Sequence, residues 1–170
     1  SKVQEAIFSS LFPKHPYGTQ TVLGTQENLK NPSITNIKNY YKQWYVPNNM
    51  AICMSGDLDP DATIALIDKY FGGLKPNPEL PKLDLPKEAP ITQPVVKEVL
   101  GPDAESVALA WRFPGVSDKD FEILQVVSQV LYNGKAGLID LDLNQQQKVL
   151  NSYGYPMGLA DYSALLLGGL

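Results

Sequence analysis

The spacing of apolar positions changes several times along the chain, and each change marks an element. In residues 1–12, SKVQEAIFSSLF, positions Val3, Ala6, Ile7, Ser10 and Leu11 recur at helical spacing until Pro13 ends the pattern. A glycine-punctuated loop follows, HPYGTQTVLGTQENL, from His15 to Leu29. Ile34, Ile37, Tyr41 and Trp44 or Tyr45 then mark one face of a second helix, with Ser33 or Thr35 as its cap. Pro47-Asn48-Asn49 makes a turn, and MAICMSG (50–56) is a short apolar run suited to a buried strand. That placement puts Cys53 in the core, as a small buried thiol.

The stretch GDLDPDATIALIDKYFGGL carries the clearest helix signals. Asp59 can cap, Pro60 suits the first helical position, and Asp61 sits where the helix dipole favours negative charge. Ile64, Ile67 and Phe71 form the expected buried stripe, flanked by Leu66 and Tyr70, and Gly72-Gly73 supplies the stop. Prolines then stand at 76, 78, 81, 86, 90 and 94, a density that excludes helix and central strand and predicts a boundary. Beyond it, PVVKEVLG (94–101) and SVALAWRF (106–113) read as two strands joined through Gly101-Pro102-Asp103. Ser117 and Asp120 stand at capping-box spacing before a helix carrying Phe121, Leu124, Val127 (or Ile123), Val130 and Leu131. Asn133-Gly134 breaks that helix. A second helical run over roughly 137–149 follows, with Leu138, Leu141 and Val149, and then SYGYPMG and YSALLLGGL as two strands around a turn. Hairpins mixed with helices predict an α+β layered architecture rather than a parallel sheet.

Composition narrows the function classes. With 170 residues, 44% of them hydrophobic and 19% charged, the chain can bury a core and is not of disordered type. Fourteen basic against 18 acidic residues, with no basic cluster, removes the electrostatic warrant for nucleic-acid binding. No apolar run approaches the length of a membrane-spanning helix. The chain lacks an initiator Met and a signal peptide, opens in a helical pattern and stops within an apparent strand. Both ends predict a piece of a longer protein.

Candidate chemistry is sparse. A single cysteine excludes an internal disulfide and CxxC metal sites, and a single histidine excludes HExxH and HxxEH. A nucleophilic triad would have to use His15, yet Ser9 and Ser10 lie in no G-x-S-x-G elbow and Cys53 lies in the apolar run. Beside Pro16 and three residues before Gly18, His15 reads as a turn-forming or hydrogen-bonding residue. P-loop and GxGxxG motifs are absent, and Gly72-Gly73 and Gly168-Gly169 read as a helix stop and a strand end. Asp57, Asp59 and Asp61 lack the glycine and distal glutamate of an EF-hand, and Pro60 marks a helix start there instead. Tyr40, Tyr41, Trp44 and Tyr45 read as core packing in preference to a binding platform.

The order of these pieces carries further information. HPYG (15–18), VLGTQENL, a helix ending in YYKQWYVPNNMAICMSGDLDPD, and LIDKYFGGL form a series that resembles the M16 family of zinc metallopeptidases. That group includes pitrilysin, insulin-degrading enzyme, the mitochondrial processing peptidase and bacterial relatives. The resemblance is strong over residues 1 to about 75 and looser from the proline-rich stretch through SVALAWRFPG and the helix after it. It implies two-layer α/β units with an antiparallel or mixed sheet covered by helices. Residues 1–75 would close one repeat, 76–94 would be a linker, and 95–170 would open the next.

In that family an inverted HxxEH motif supplies two zinc ligands and the general base, and a glutamate on a later helix supplies the third ligand. Those positions would precede Ser1. Glu5 lies too close to the HPYG loop to match the metal-binding glutamate, so no catalytic, cofactor-binding or metal-ligating residue is carried over. His15 would belong to the loop after the zinc-binding helix. The resemblance implies zinc in the parent protein and none in this segment. As partners it implies the remainder of the parent or a homologous half, with a peptide as the parent's substrate. The expected function is that of a non-catalytic segment helping to form a peptide-holding chamber; the alternative is part of an inactive partner subunit.

Overall fold

The computed structural model describes residues 1–170 and divides them into two compact units, Ser1–Gln20 with Pro86–Leu170, and Thr21–Leu85. The first unit holds helices α1 (Lys2–Leu11), α2 (Pro16–Thr19) and α6 (Lys119–Leu131), with strands β1 (Val107–Pro114), β2 (Ser152–Gly158) and β3 (Tyr162–Gly169). The second holds α3 (Gln26–Lys30), α4 (Ile34–Trp44) and α5 (Pro60–Phe71). Helices and an antiparallel sheet give the α+β class that the spacing predicts.

In the first unit the strands run antiparallel in the order β1-β3-β2. Successive strand residues point to opposite faces, so each face collects its own set. Register places Ala110 beside Leu166 and Arg112 beside Ala164, on the face that α1 covers with Leu11 and Phe12. Trp111 and Phe113 look the other way, towards α6, where Phe113, Leu165, Leu124, Ile123, Val127 and Asp120 surround a hollow of about 190 Å³. Two glycines allow that helix layer to sit close. A Cβ at Gly158 would meet Val116 and Phe121, and one at Gly154 would meet Leu167 and Tyr132.

The helix N-termini are set by local chemistry. Ser1, Thr25, Ser33 and Asp59 each accept a backbone N–H three residues on, satisfying donors that a first turn leaves free. At α6 the cap is Asp118, which accepts from the Asp120 N–H, and not the Ser117 read from capping-box spacing. The run over 137–149 becomes a π-helical turn at Asp140–Asn144 followed by turns. Asp140 is buried, and its Oδ2 accepts the backbone N–H groups of Asn133, Gly134 and Gly137, all at 3.0 Å. Burial pushes that carboxyl upward, but these donors and the Asn144 side-chain amide outweigh it and hold it below its ordinary value.

Several sequence expectations fail, and for one shared reason. Residues 50–56 form no strand, and Cys53 is exposed, not a core thiol. Residues 94–101 likewise form no strand, with Val96 and Leu100 almost fully exposed. Ile64 and Phe71 of the expected buried stripe are exposed, and Ile67 is only half-buried. The aromatic set of α4 is not core either: Tyr41 stacks on Tyr45 at 4.7 Å and Tyr40 lies against Trp44, but the three tyrosines face solvent. Periodicity shows which face of an element is apolar, and a partner layer is still needed to bury it.

Candidate functional site at the HPYG loop

The HPYG segment (15–18) of the loop singled out by the sequence lies in the first unit, on the end of α1. Gly18 is required there, because a Cβ would run into the carbonyl oxygens of Phe8 and Phe12. His15 is the N-cap of α2: its Nδ1 accepts the Tyr17 N–H at 3.2 Å, so the neutral imidazole carries its proton on Nε2. The ring is 1% exposed and packed among Phe12, Tyr17 and Tyr162 at 4.2 to 6.4 Å between centroids. Its Nε2 has no hydrogen-bond partner, and Asp161 Oδ2 stands 3.6 Å away. Tyr17 Oη donates to that same carboxylate oxygen at 3.1 Å.

A buried carboxylate fixes the backbone of the loop. Glu88 Oε1 accepts the N–H groups of Lys14 and His15, both at 2.7 Å, and the Glu88 N–H donates to Tyr162 Oη at 2.8 Å. Arg112 Nη1 lies 4.0 Å from Glu88 Oε2. Its guanidinium donates to the carbonyls of Leu11 and Ala89 and lies over the Tyr162 ring at 5.6 Å. One Glu–Arg pair thus ties the end of α1, the chain near Glu88 and strand β1 together.

Sequence reasoning found His15 and missed its neighbours. Glu88 reads as a solvated charge in a proline-rich stretch, and no local pattern distinguishes it. Arg112 carried a signal, a guanidinium inside the otherwise apolar strand VALAWRF, and a buried arginine requires a partner. Asp161 looked like a turn residue, and it also serves the loop.

A hydrolytic zinc centre is built from side chains that converge on one point. Such a centre takes three protein ligands and an open position. No group of three or more His, Cys, Asp or Glu side chains is placed to hold a metal, and the one imidazole already uses Nδ1 as an acceptor. Asp57, Asp59 and Asp61 do not converge either, since Asp59 caps α5.

The family model for the M16 peptidase inactive domain matches residues 33–168. The chain belongs to the M16 peptidase family. Among curated relatives, "Zinc protease PqqE" of Helicobacter pylori is 27% identical over 164 residues, spanning 94% of this chain and 36% of that protein. A solved protease from Helicobacter pylori superposes with a TM-score of 0.76 at 23% identity, over 99% of this chain and 41% of that one. The first half of the periplasmic protease PqqL from Escherichia coli gives 0.68 at 19% identity, over 99% and 37%. The chain therefore spans well under half the length of the M16 relatives it matches.

Proposed function

We propose that this chain is a non-catalytic segment of an M16-type zinc endopeptidase and helps to form the chamber that holds its peptide substrate. The observation that carries the reading is the commitment of the HPYG loop. Its imidazole caps a helix and its backbone is held by Glu88, in a chain that matches the inactive domain of the family. Zinc and the base that activates water would come from the longer parent. In this reading residues 1–75 close one repeat and 95–170 open the next.

The test is to read the gene upstream of Ser1 for HxxEH and to assay the longer product for chelator-sensitive peptide hydrolysis. Both are expected. A longer product without HxxEH removes the enzymatic half of the reading and leaves an inactive partner subunit.

A further inference from the structure

Asn133-Gly134 follows the C-cap of α6 and is the only Asn-Gly pair of the chain. Asn133, Gly134, Lys135 and Ala136 are exposed, so water reaches the pair. In such a pair the glycine nitrogen can attack the neighbouring side-chain amide, because no Cβ stands in its way. The bond from Gly134 N to Asn133 Cγ forms, the Cγ–Nδ2 bond breaks, and ammonia leaves with the proton of the glycine N–H. Water then opens the cyclic imide to aspartate or isoaspartate.

The loop binds each group that this reaction has to move. The Gly134 N–H donates to Asp140 Oδ2 at 3.0 Å, beside the N–H groups of Asn133 and Gly137 on the same oxygen. Asn133 Oδ1 accepts the Lys135 and Ala136 N–H groups at 3.0 and 2.9 Å, and its Nδ2 donates to the Gln129 carbonyl at 3.0 Å. Attack requires the Gly134 nitrogen to lose its proton, which a carboxylate is far too weak a base to take. The resulting anion would lie against the buried Asp140 carboxylate, a like charge at hydrogen-bond distance. The two donors on Oδ1 make Cγ more electrophilic, but they set partial charges against a full one acting on the nucleophile itself. Repulsion wins.

We propose that Asn133-Gly134 is a deamidation site of this protein, held shut by Asp140. Modification after an opening is one-way. It exchanges the amide donor to Gln129 for a carboxylate at the negative end of α6, and isoaspartate adds a methylene to the backbone between residues that Asp140 holds together. The contacts lie within residues 129–140, so the assignment stands whether or not the parent protein is a peptidase.

Mass spectrometry of tryptic peptides follows deamidation of the 170-residue chain, native and in guanidinium chloride, at neutral pH and physiological temperature. Native Asn133 is expected to react at least about tenfold more slowly than in the denatured chain, as for a group reactive only in an opened state. Asp140→Asn should bring the native rate to within about threefold of the denatured one. Asn151-Ser152, tied to Leu170 by backbone hydrogen bonds, reports opening of the sheet and should stay slow in that variant. If Asp140→Asn does not fold, the unaltered chain decides. Guanidinium below the melting transition should then speed deamidation and Gly134 amide exchange by the same factor, because one opening frees the nitrogen for both. Equal rates in native and denatured chains overturn the proposal. So does a folded Asp140→Asn that deamidates no faster than the unaltered chain, or deamidation that accelerates while the Gly134 amide stays protected.

Discussion

The carboxylate of Glu88 accepts the backbone N–H of His15 at 2.7 Å, joining two residues 73 positions apart. The same oxygen also takes the Lys14 N–H, so one side chain fixes the entry to the HPYG loop. Both bonds are charge-assisted, and the Glu88 side chain is 2% exposed, so water cannot replace it. Glu88→Ala should cost on the order of 3 kcal/mol, from two lost charge-assisted bonds and an unpaired Arg112. Glu88→Gln keeps an acceptor and should cost less. Urea melts of the three proteins check the order; equal midpoints would show that the loop is held by its aromatic packing instead.

Cleavage of the native chain should begin between residues 79 and 87. Asn48 and Asn77 exchange two hydrogen bonds, at 2.8 and 2.9 Å, which fixes the start of the proline-rich stretch. Glu88 and Ala89 are held through the loop and Arg112. The span between carries no regular element and exposes Lys82 and Lys87 to trypsin. Mass spectrometry of the first fragments decides it, and an initial cut inside α6 would count against it.

How much of this was legible in the sequence depends on where each residue's partner lies. Helix starts were readable because Ser33 and Asp59 find their partners three residues away, and the β2–β3 hairpin because its two strands are neighbours in the chain. The family was readable because an ordered series of short motifs survives in the sequence. Burial was not readable for Cys53, Ile64 or Phe71, whose apolar spacing says nothing about whether a covering layer is present. Glu88 was not readable for the converse reason: a solvated glutamate and a buried one look alike until a loop 73 residues away supplies its donors.

Two apolar substitutions should separate covered helices from uncovered ones. Leu124 of α6 is 3% exposed and packs against the sheet, so Leu124→Ala should cost about 2–5 kcal/mol. Ile67 of α5 is only half-buried, on a helix with no buried residue, so Ile67→Asp should change the stability of this chain by less than about 1 kcal/mol. Denaturant melts followed by fluorescence and circular dichroism compare them. A collapse caused by Ile67→Asp would show that the stripe is covered in solution.

Acid should open the Asn133–Gly137 loop before it melts the sheet. The Asp140 carboxyl is held below its ordinary value of 3.8 in the folded chain, so its contribution is fully present above that value. As pH falls through the lower folded value, protonation removes charge-assisted acceptance from three backbone donors. Hydrogen exchange of the Asn133, Gly134 and Gly137 amides should accelerate over that range, and Asp140→Asn should show fast exchange already at neutral pH. Unchanged protection in the variant would place the restraint elsewhere, for example in the Asn133 side chain, which accepts from the Lys135 and Ala136 N–H groups.

The purified 170-residue chain should hold no stoichiometric zinc and cleave no peptide. A hydrolytic site needs three protein ligands and an open position for water. In this chain the single imidazole is 1% exposed, its Nδ1 accepts the Tyr17 N–H, and the only carboxylate near its Nε2 is that of Asp161. Carboxylates alone favour hard cations and bind zinc weakly. His15→Ala removes the cap of α2 and opens a space among Phe12, Tyr17 and Tyr162. It should therefore lower stability by about 1–3 kcal/mol without altering any chemistry. Metal analysis after dialysis and a fluorogenic peptide assay, run on both proteins, provide the check. Tightly bound zinc that disappears in His15→Ala, or cleavage by the chain alone that a chelator stops, would mean that the imidazole leaves its cap to bind metal.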